Sequence, residues 1–263
     1  MRPKGDDKLN NYQLSIVNYQ LYLAIASFVL VIFLSWGLKG DAKTSLPPWE
    51  VHPLPPSLSQ WQAPETAGDY FAQIKPISSV NYLIWSEFPV KVYVDKPQVP
   101  PELSYETINF PQWRTAVLTA LEEWNNYLPL QEVEEQAQAD IIILRQELAP
   151  RKIYDSQTGE FKGTRARTAT TEYEFYLRPG SGSEKILAHR MTVILSPFQT
   201  ELNLLPAARH EIGHALGIWG HSLEETDSLY FSQVRYPPKI SVRDVNTLKK
   251  VYEQPTALGW GID

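Results

Sequence analysis

Three histidines and a glutamate within twelve residues are the part of this sequence best suited to chemistry. The stretch reads His210-Glu211-Ile212-Gly213-His214-Ala215-Leu216-Gly217-Ile218-Trp219-Gly220-His221. On a helix, residues four apart stand about 40° apart around the axis. His210 and His214 would therefore face the same way and could grip one small ion. Zinc accepts imidazole nitrogen at about 2.0–2.1 Å, and a catalytic zinc keeps three protein ligands and one open position. Glu211 is the next residue round the helix. It is placed to take a proton from a metal-activated water and hand it to a leaving amine. Gly217 can end the helix with positive φ and turn the chain sharply. That turn can bring His221 back as the third ligand. The expected site is thus one zinc ion on His210, His214 and His221, with Glu211 as general base. The other two histidines, His52 and His189, have no partner at ligand spacing and read as surface or structural residues.

Such a site needs a helix under the histidines and a core to hold it. A helix is expected from about Asn203 to Leu216, with Pro206 in its first turn, where a missing N–H costs least. Residues 90–94 (VKVYV) alternate and are β-branched, so they read as a strand. Residues 111–127 place Trp113, Val117, Ala120, Leu121 and Trp124 at helical spacing. Residues 139–144 form a short continuous apolar run, the pattern of a buried strand. Residues 164–177 and 189–195 read as two further strands, joined through Pro179 to Ser183. A last helix should start near Ser241, where Ser241 and Asp244 make a capping-box-like pair ahead of Val245, Leu248, Val251 and Tyr252. This order predicts an α+β domain: a twisted mixed sheet with an active-site helix and a C-terminal helix packed on it.

Composition bounds the function. The 263 residues are 43% hydrophobic and 21% charged, an ordinary globular balance. The net charge of −6 gives no support to nucleic-acid binding. There is no cysteine, which excludes disulfides, thiolate metal sites and a cysteine that caps a catalytic metal. Residues 21–38 (LYLAIASFVLVIFLSWGL) carry no charge and would span roughly 27 Å as a helix, close to a bilayer's hydrocarbon thickness. They read as a transmembrane anchor following a cytoplasmic tail at 1–20; a buried core helix is the alternative. Gly40 and Ala42 have the spacing of a signal-peptidase site, so cleavage near Ala42 would instead release the chain. Either way the catalytic domain is expected outside the cytoplasm. Residues 39–87 are proline-rich and read as a spacer, with Trp49, Trp61 and Tyr70 able to pack on a domain at 88–263.

With these residues in view, the sequence resembles the metzincin zinc peptidases, and within them the bacterial matrixin-like ones, over about Pro89 to Pro255. The stretch HEIGHALGIWGHS is similar to that family's zinc-binding stretch. Asp227-Ser228-Leu229-Tyr230 stands where the family has its Met-turn, and residues 240–248 resemble its last helix. The resemblance implies a zinc endopeptidase that binds a protein or peptide substrate as an extended strand along a sheet edge, supplied by the strands between Thr164 and Leu195. Calcium sites are common in relatives, but no spaced acidic loop supports one here. Two departures stand out. His221 comes one residue later than the family's third histidine, with Gly220 in its place. Leu229 replaces the Met beneath the metal, an apolar residue of similar size. Tyr230 is expected to pack or hydrogen-bond below the site. Two other readings use the same residues: a metzincin-like binding module of weak or no activity at the cell surface, and a closed structural zinc site with Asp227 as fourth ligand.

Overall fold

The computed structural model describes residues 46–97 and 109–262. The apolar run at 21–38 lies outside them. No helix among the described residues is long and apolar enough to cross a membrane.

Strand β1 (Val90–Val94) buries Val90, Val92 and Val94 and turns Lys91 to solvent, as its alternation predicts. Helix α1 (Pro56–Gln60) precedes it. Helix α2 (Phe110–Asn125) buries Trp113, Val117, Ala120, Leu121 and Trp124 on one stripe. Strands β2 (Leu130–Glu132) and β3 (Ile141–Arg145) lie on either side of β1 and run parallel to it. β3 is central, so Ile141, Ile142 and Ile143 are all buried, which explains its unbroken apolar run. β4 (Arg151–Tyr154) and β5 (Phe161–Arg165) make a separate exposed hairpin. β6 (Ala169–Pro179) and β7 (Lys185–Leu195) are long antiparallel partners, and β7 runs parallel to β3. The sheet order is β2-β1-β3-β7-β6, with the short β8 (Gly261–Ile262) against the start of β7. Thus β6 is the outer strand of a mixed sheet.

Helix α3 (Glu201–Ala215) carries the first two histidines, and α4 (Val242–Tyr252) closes the domain. α3 packs on α2 and on β6 and β7. Trp124 Nε1 donates to the Arg209 carbonyl at 2.9 Å, and Arg209 grips Glu123 through Nε and Nη2. This two-bonded, largely buried pair fixes the two helices against each other. The capping box at α4 forms: Ser241 Oγ accepts from the Asp244 N–H, and Asp244 accepts from the Ser241 N–H.

Three expectations change. The strand expected over 164–177 is two strands, because the chain leaves β5 at Arg165 and joins the main sheet only at Ala169. The polar run between them has no buried residue to mark the break. Helix α3 begins earlier than expected, so Pro206 falls in its second turn and removes the bond to the Leu202 carbonyl. Thirdly, the described part of the expected spacer is built into the core. Leu58, Tyr70, Ile74, Val80, Leu83, Ile84 and Trp85 are all buried with the side chains of the helices and sheet. Proline stops long elements there but does not prevent packing. Trp61 packs against the core and bonds Asn246, Tyr70 is buried, and Trp49 is exposed.

Candidate metal centre

The site begins at the end of α3. Gly217 has φ +116°, and a side chain there would strike the Leu83 carbonyl. The Ile218 N–H donates to the Gly213 carbonyl (3.1 Å) and the Gly217 N–H to His214 (3.0 Å), the paired bonds of a Schellman cap. Trp85 Nε1 donates to the Ala215 carbonyl and Tyr252 Oη to that of Leu216, both at 3.0 Å. The helix end is therefore fully bonded although buried.

Beyond Gly217, two successive three-residue turns absorb the extra residue. Trp219 N–H bonds the Gly217 carbonyl (2.8 Å), and Gly220 N–H bonds Ile218 (3.0 Å). Gly220 lies directly against the Gln73 carbonyl, leaving no room for a Cβ. Lys75 N–H donates to the Trp219 carbonyl at 3.2 Å. The turn is thus braced by the proline-rich segment, and it delivers His221.

His210, His214 and His221 converge. His214 Nε2 lies 3.1 Å from His210 Nε2 and 3.2 Å from His221 Nε2. Nitrogens bound tetrahedrally to one zinc stand roughly 3.4 Å apart. Nδ1 of His210 meets the Ser228 carbonyl at 2.9 Å, and Nδ1 of His214 meets that of Ile218 at 2.7 Å. A carbonyl only accepts, so both Nδ1 atoms carry the proton and both Nε2 lone pairs point at the same space. Facing lone pairs repel unless a cation sits among them. Burial pushes His210 and His214 down to about 4, so both imidazoles are neutral at pH 7, as metal ligands must be. His221 is more exposed; burial and Lys75 push it down as well. This donor set fits zinc.

Glu211 is buried beside them. Thr171 Oγ1, on β6, lies 2.6 Å from its Oε2 and 3.0 Å from its backbone carbonyl. Burial pushes the Glu211 carboxyl up, against the pull of His210, Thr171 and Arg167. A raised carboxylate is a better proton acceptor. A cavity of about 500 Å³ opens here. His210, Glu211, Pro206, Ala207, Tyr230 and Val234 are part of its wall.

A matrixin family model matches residues 102–253, more than half of the chain. The chain belongs to the matrixin family. No curated protein matches it significantly. The match spans the histidine stretch, the Leu229 turn and α4.

In this matrixin, Leu229 is fully buried beneath the helix. Its Cδ2 lies 2.7 Å from where a Cβ on Gly213 would be, so glycine at 213 makes room for it. Asp244 ties this turn to α4: its carboxylate accepts from the Ser228 N–H (2.8 Å) and Oγ (2.9 Å) and from Tyr70 Oη (2.6 Å). Tyr230 lines the cavity and packs on Phe231. Asp227 is not a fourth ligand. Its Oδ1 accepts from Ser241 Oγ, and its Oδ2 from Ser222 Oγ and Arg243 Nε. Among the described residues the metal-capable group is His210, His214 and His221 alone. His189 is buried and stacked on Trp85, and His52 bonds the Leu258 carbonyl; both are structural.

Thr171, Gly213 and the carbonyls of Ser228 and Ile218 all shape the site, yet none was expected from the sequence. Gly213 sits inside the motif, and its lack of a side chain is the only signal it offers. Thr171 and the carbonyls give none, because their roles depend on β6 and on turn geometry.

Proposed function

We propose that this matrixin is a zinc-dependent endopeptidase. The convergence of three neutral imidazoles on one point, with both buried Nδ1 atoms tied to carbonyls, carries this reading. Zinc held by His210, His214 and His221 would supply Lewis acidity and a more acidic water. The remaining work falls to the chain's own residues. Glu211, held by Thr171, takes the proton of the attacking water at its carboxylate and delivers it to the amide nitrogen as the peptide bond breaks. Burial of Glu211 supports the general-base role. β6 pairs only with β7 among the described strands, so its outer edge can take an extended peptide by strand addition. The expected substrate edge is therefore β6, whose Thr171 already touches Glu211.

The test uses the purified full-length chain. Bound zinc is measured by elemental analysis, and cleavage of casein and of quenched fluorescent peptides is followed. One zinc per chain, with hydrolysis abolished by a chelator and restored by zinc, is expected. Stoichiometric zinc with no hydrolysis across a broad peptide set would overturn the peptidase reading and leave a binding module.

A further inference from the structure

Two arginines at and beside this cavity make no ion pair with an acid among the described residues. Arg165, at the end of β5, lines the cavity together with His210 and Glu211. It is exposed, whereas Ala207, Val234 and Pro238 lie deeper and are half-buried. Arg167, two residues on, is half-buried and within electrostatic reach of Glu211. Among the described residues neither guanidinium makes a side-chain hydrogen bond or an ion pair with an acid. The acids nearby are committed: Asp227 to Arg243, Ser222 and Ser241, and Glu211 to Thr171. Arg235 lies over Tyr236, between the lining residues Val234 and Pro237 in the sequence. The joint holding the arginines is anchored, because the Thr168 carbonyl accepts from the Ser196 N–H and from Gln199 Nε2, both at 2.8 Å. All this occurs on a chain with a net charge of −6, which at large would repel an acidic ligand.

We propose that Arg165 and Arg167 are specificity-determining residues that select substrates with an Asp or Glu side chain next to the residue filling this cavity. The inference rests on the peptidase reading above and names a substrate class for the same site. A guanidinium offers planar paired donors to a carboxylate, and among the described residues neither arginine has an ion pair to give up. The apolar walls take an uncharged side chain, and the rim takes the acidic neighbour. Because the rim is wet, the selectivity should weaken with salt.

The experiment uses zinc-loaded full-length protein and matched peptides, acetylated and amidated so that a side chain is the only carboxylate. Glu, Gln and Lys are placed in turn at each of the three positions on either side of the scissile bond. At low salt, Glu should exceed Gln at one position by about tenfold in kcat/KM, and 0.5 M salt should shrink the ratio. Arg165→Gln with Arg167→Gln should bring it close to one, and reversing both charges to Glu should favour Lys. A merely structural role would slow the Glu and Gln peptides equally and leave their ratio intact. The same peptides, dansylated, are also bound to the Glu211→Gln protein, which reads selectivity without turnover. Cleavage with no charge preference, or a preference the arginine variants leave unchanged, overturns this inference and leaves the peptidase reading standing. No cleavage by the wild type, with acid-selective binding lost in the arginine variants, overturns the peptidase reading alone. Binding without charge preference overturns the inference whether or not peptides are cut.

Discussion

At the scale of single residues, the chemistry divides between groups that would hold a metal and groups that would move a proton. Glu211 belongs to the second kind. Glu211→Gln keeps the shape and removes the base, so kcat should fall by roughly 10²–10⁴, the usual worth of general acid–base catalysis. Zinc content should stay at the wild-type value, and a variant that loses its metal as well would assign Glu211 to holding the site. Thr171 acts through Glu211. Thr171→Val removes a hydrogen bond to a charged group, worth about 1.5–3 kcal/mol. If the bond positions the carboxylate, kcat falls by roughly 10–100-fold with little change in KM. An unchanged kcat would show that Glu211 needs no help from β6. His221→Ala tests the metal directly. Competition with a chromogenic chelator should show a loss in zinc affinity larger than the roughly 10–100-fold typical of removing an outer partner.

At the scale of elements, the late histidine is explained by how α3 ends. A helix closed by a Schellman cap, followed by two three-residue turns, brings His221 up to the other two histidines. Gly220 makes that route possible because it lies against the rigid Gln73 carbonyl. Gly220→Ala should therefore lower stability by about 1–3 kcal/mol, as overpacking does. It should also weaken zinc binding by displacing His221. Gly163→Ala is the comparison: φ is +138° but the space is open, so only the backbone strain of about 1–3 kcal/mol applies, and zinc binding is untouched. Equal zinc affinity in both variants would remove Gly220 from the metal-binding architecture. Elements with a periodic apolar stripe were legible in the sequence: α2, α4, β1 and the histidine helix all lie within a few residues of where their patterns put them. The break between β5 and β6 was not, since TRARTATT has no apolar period that a partner change could interrupt. The ligand triad was legible through spacing. The glycine turn towards His221 was legible as well, but its detailed course was not, because that is set by Gln73 and Lys75, about 150 residues earlier in the chain.

At the scale of the whole molecule, the proline-rich segment is part of the fold. Seven of its side chains, from Leu58 to Trp85, are buried in the core. Each contributes about 1.5–3 kcal/mol, which together rivals the 5–15 kcal/mol of a typical domain. A chain starting at residue 46 should melt cooperatively by circular dichroism and one starting at 88 should not; two similar melts would make the segment dispensable. The same packing sets the response to acid. His189 is held against Trp85 with ring centroids 3.8 Å apart, and its Nε2 is buried without a partner. Burial pushes it from 6.5 down to about 3. The folded state thus refuses a proton that the unfolded chain takes up once the pH drops below 6.5. The stability tied to a neutral His189 is complete above 6.5 and is lost as the pH falls towards 3, at about 1.4 kcal/mol per unit. Other groups titrate in the same window, so the informative quantity is a difference between two proteins. His189→Phe keeps a ring against Trp85 and cannot be protonated. Urea unfolding at pH 7 and pH 5 should show the wild type losing about 2 kcal/mol more than the variant. Parallel losses would mean that His189 is protonated in the folded protein, with a counter-charge or water that its packing against Trp85 does not reveal.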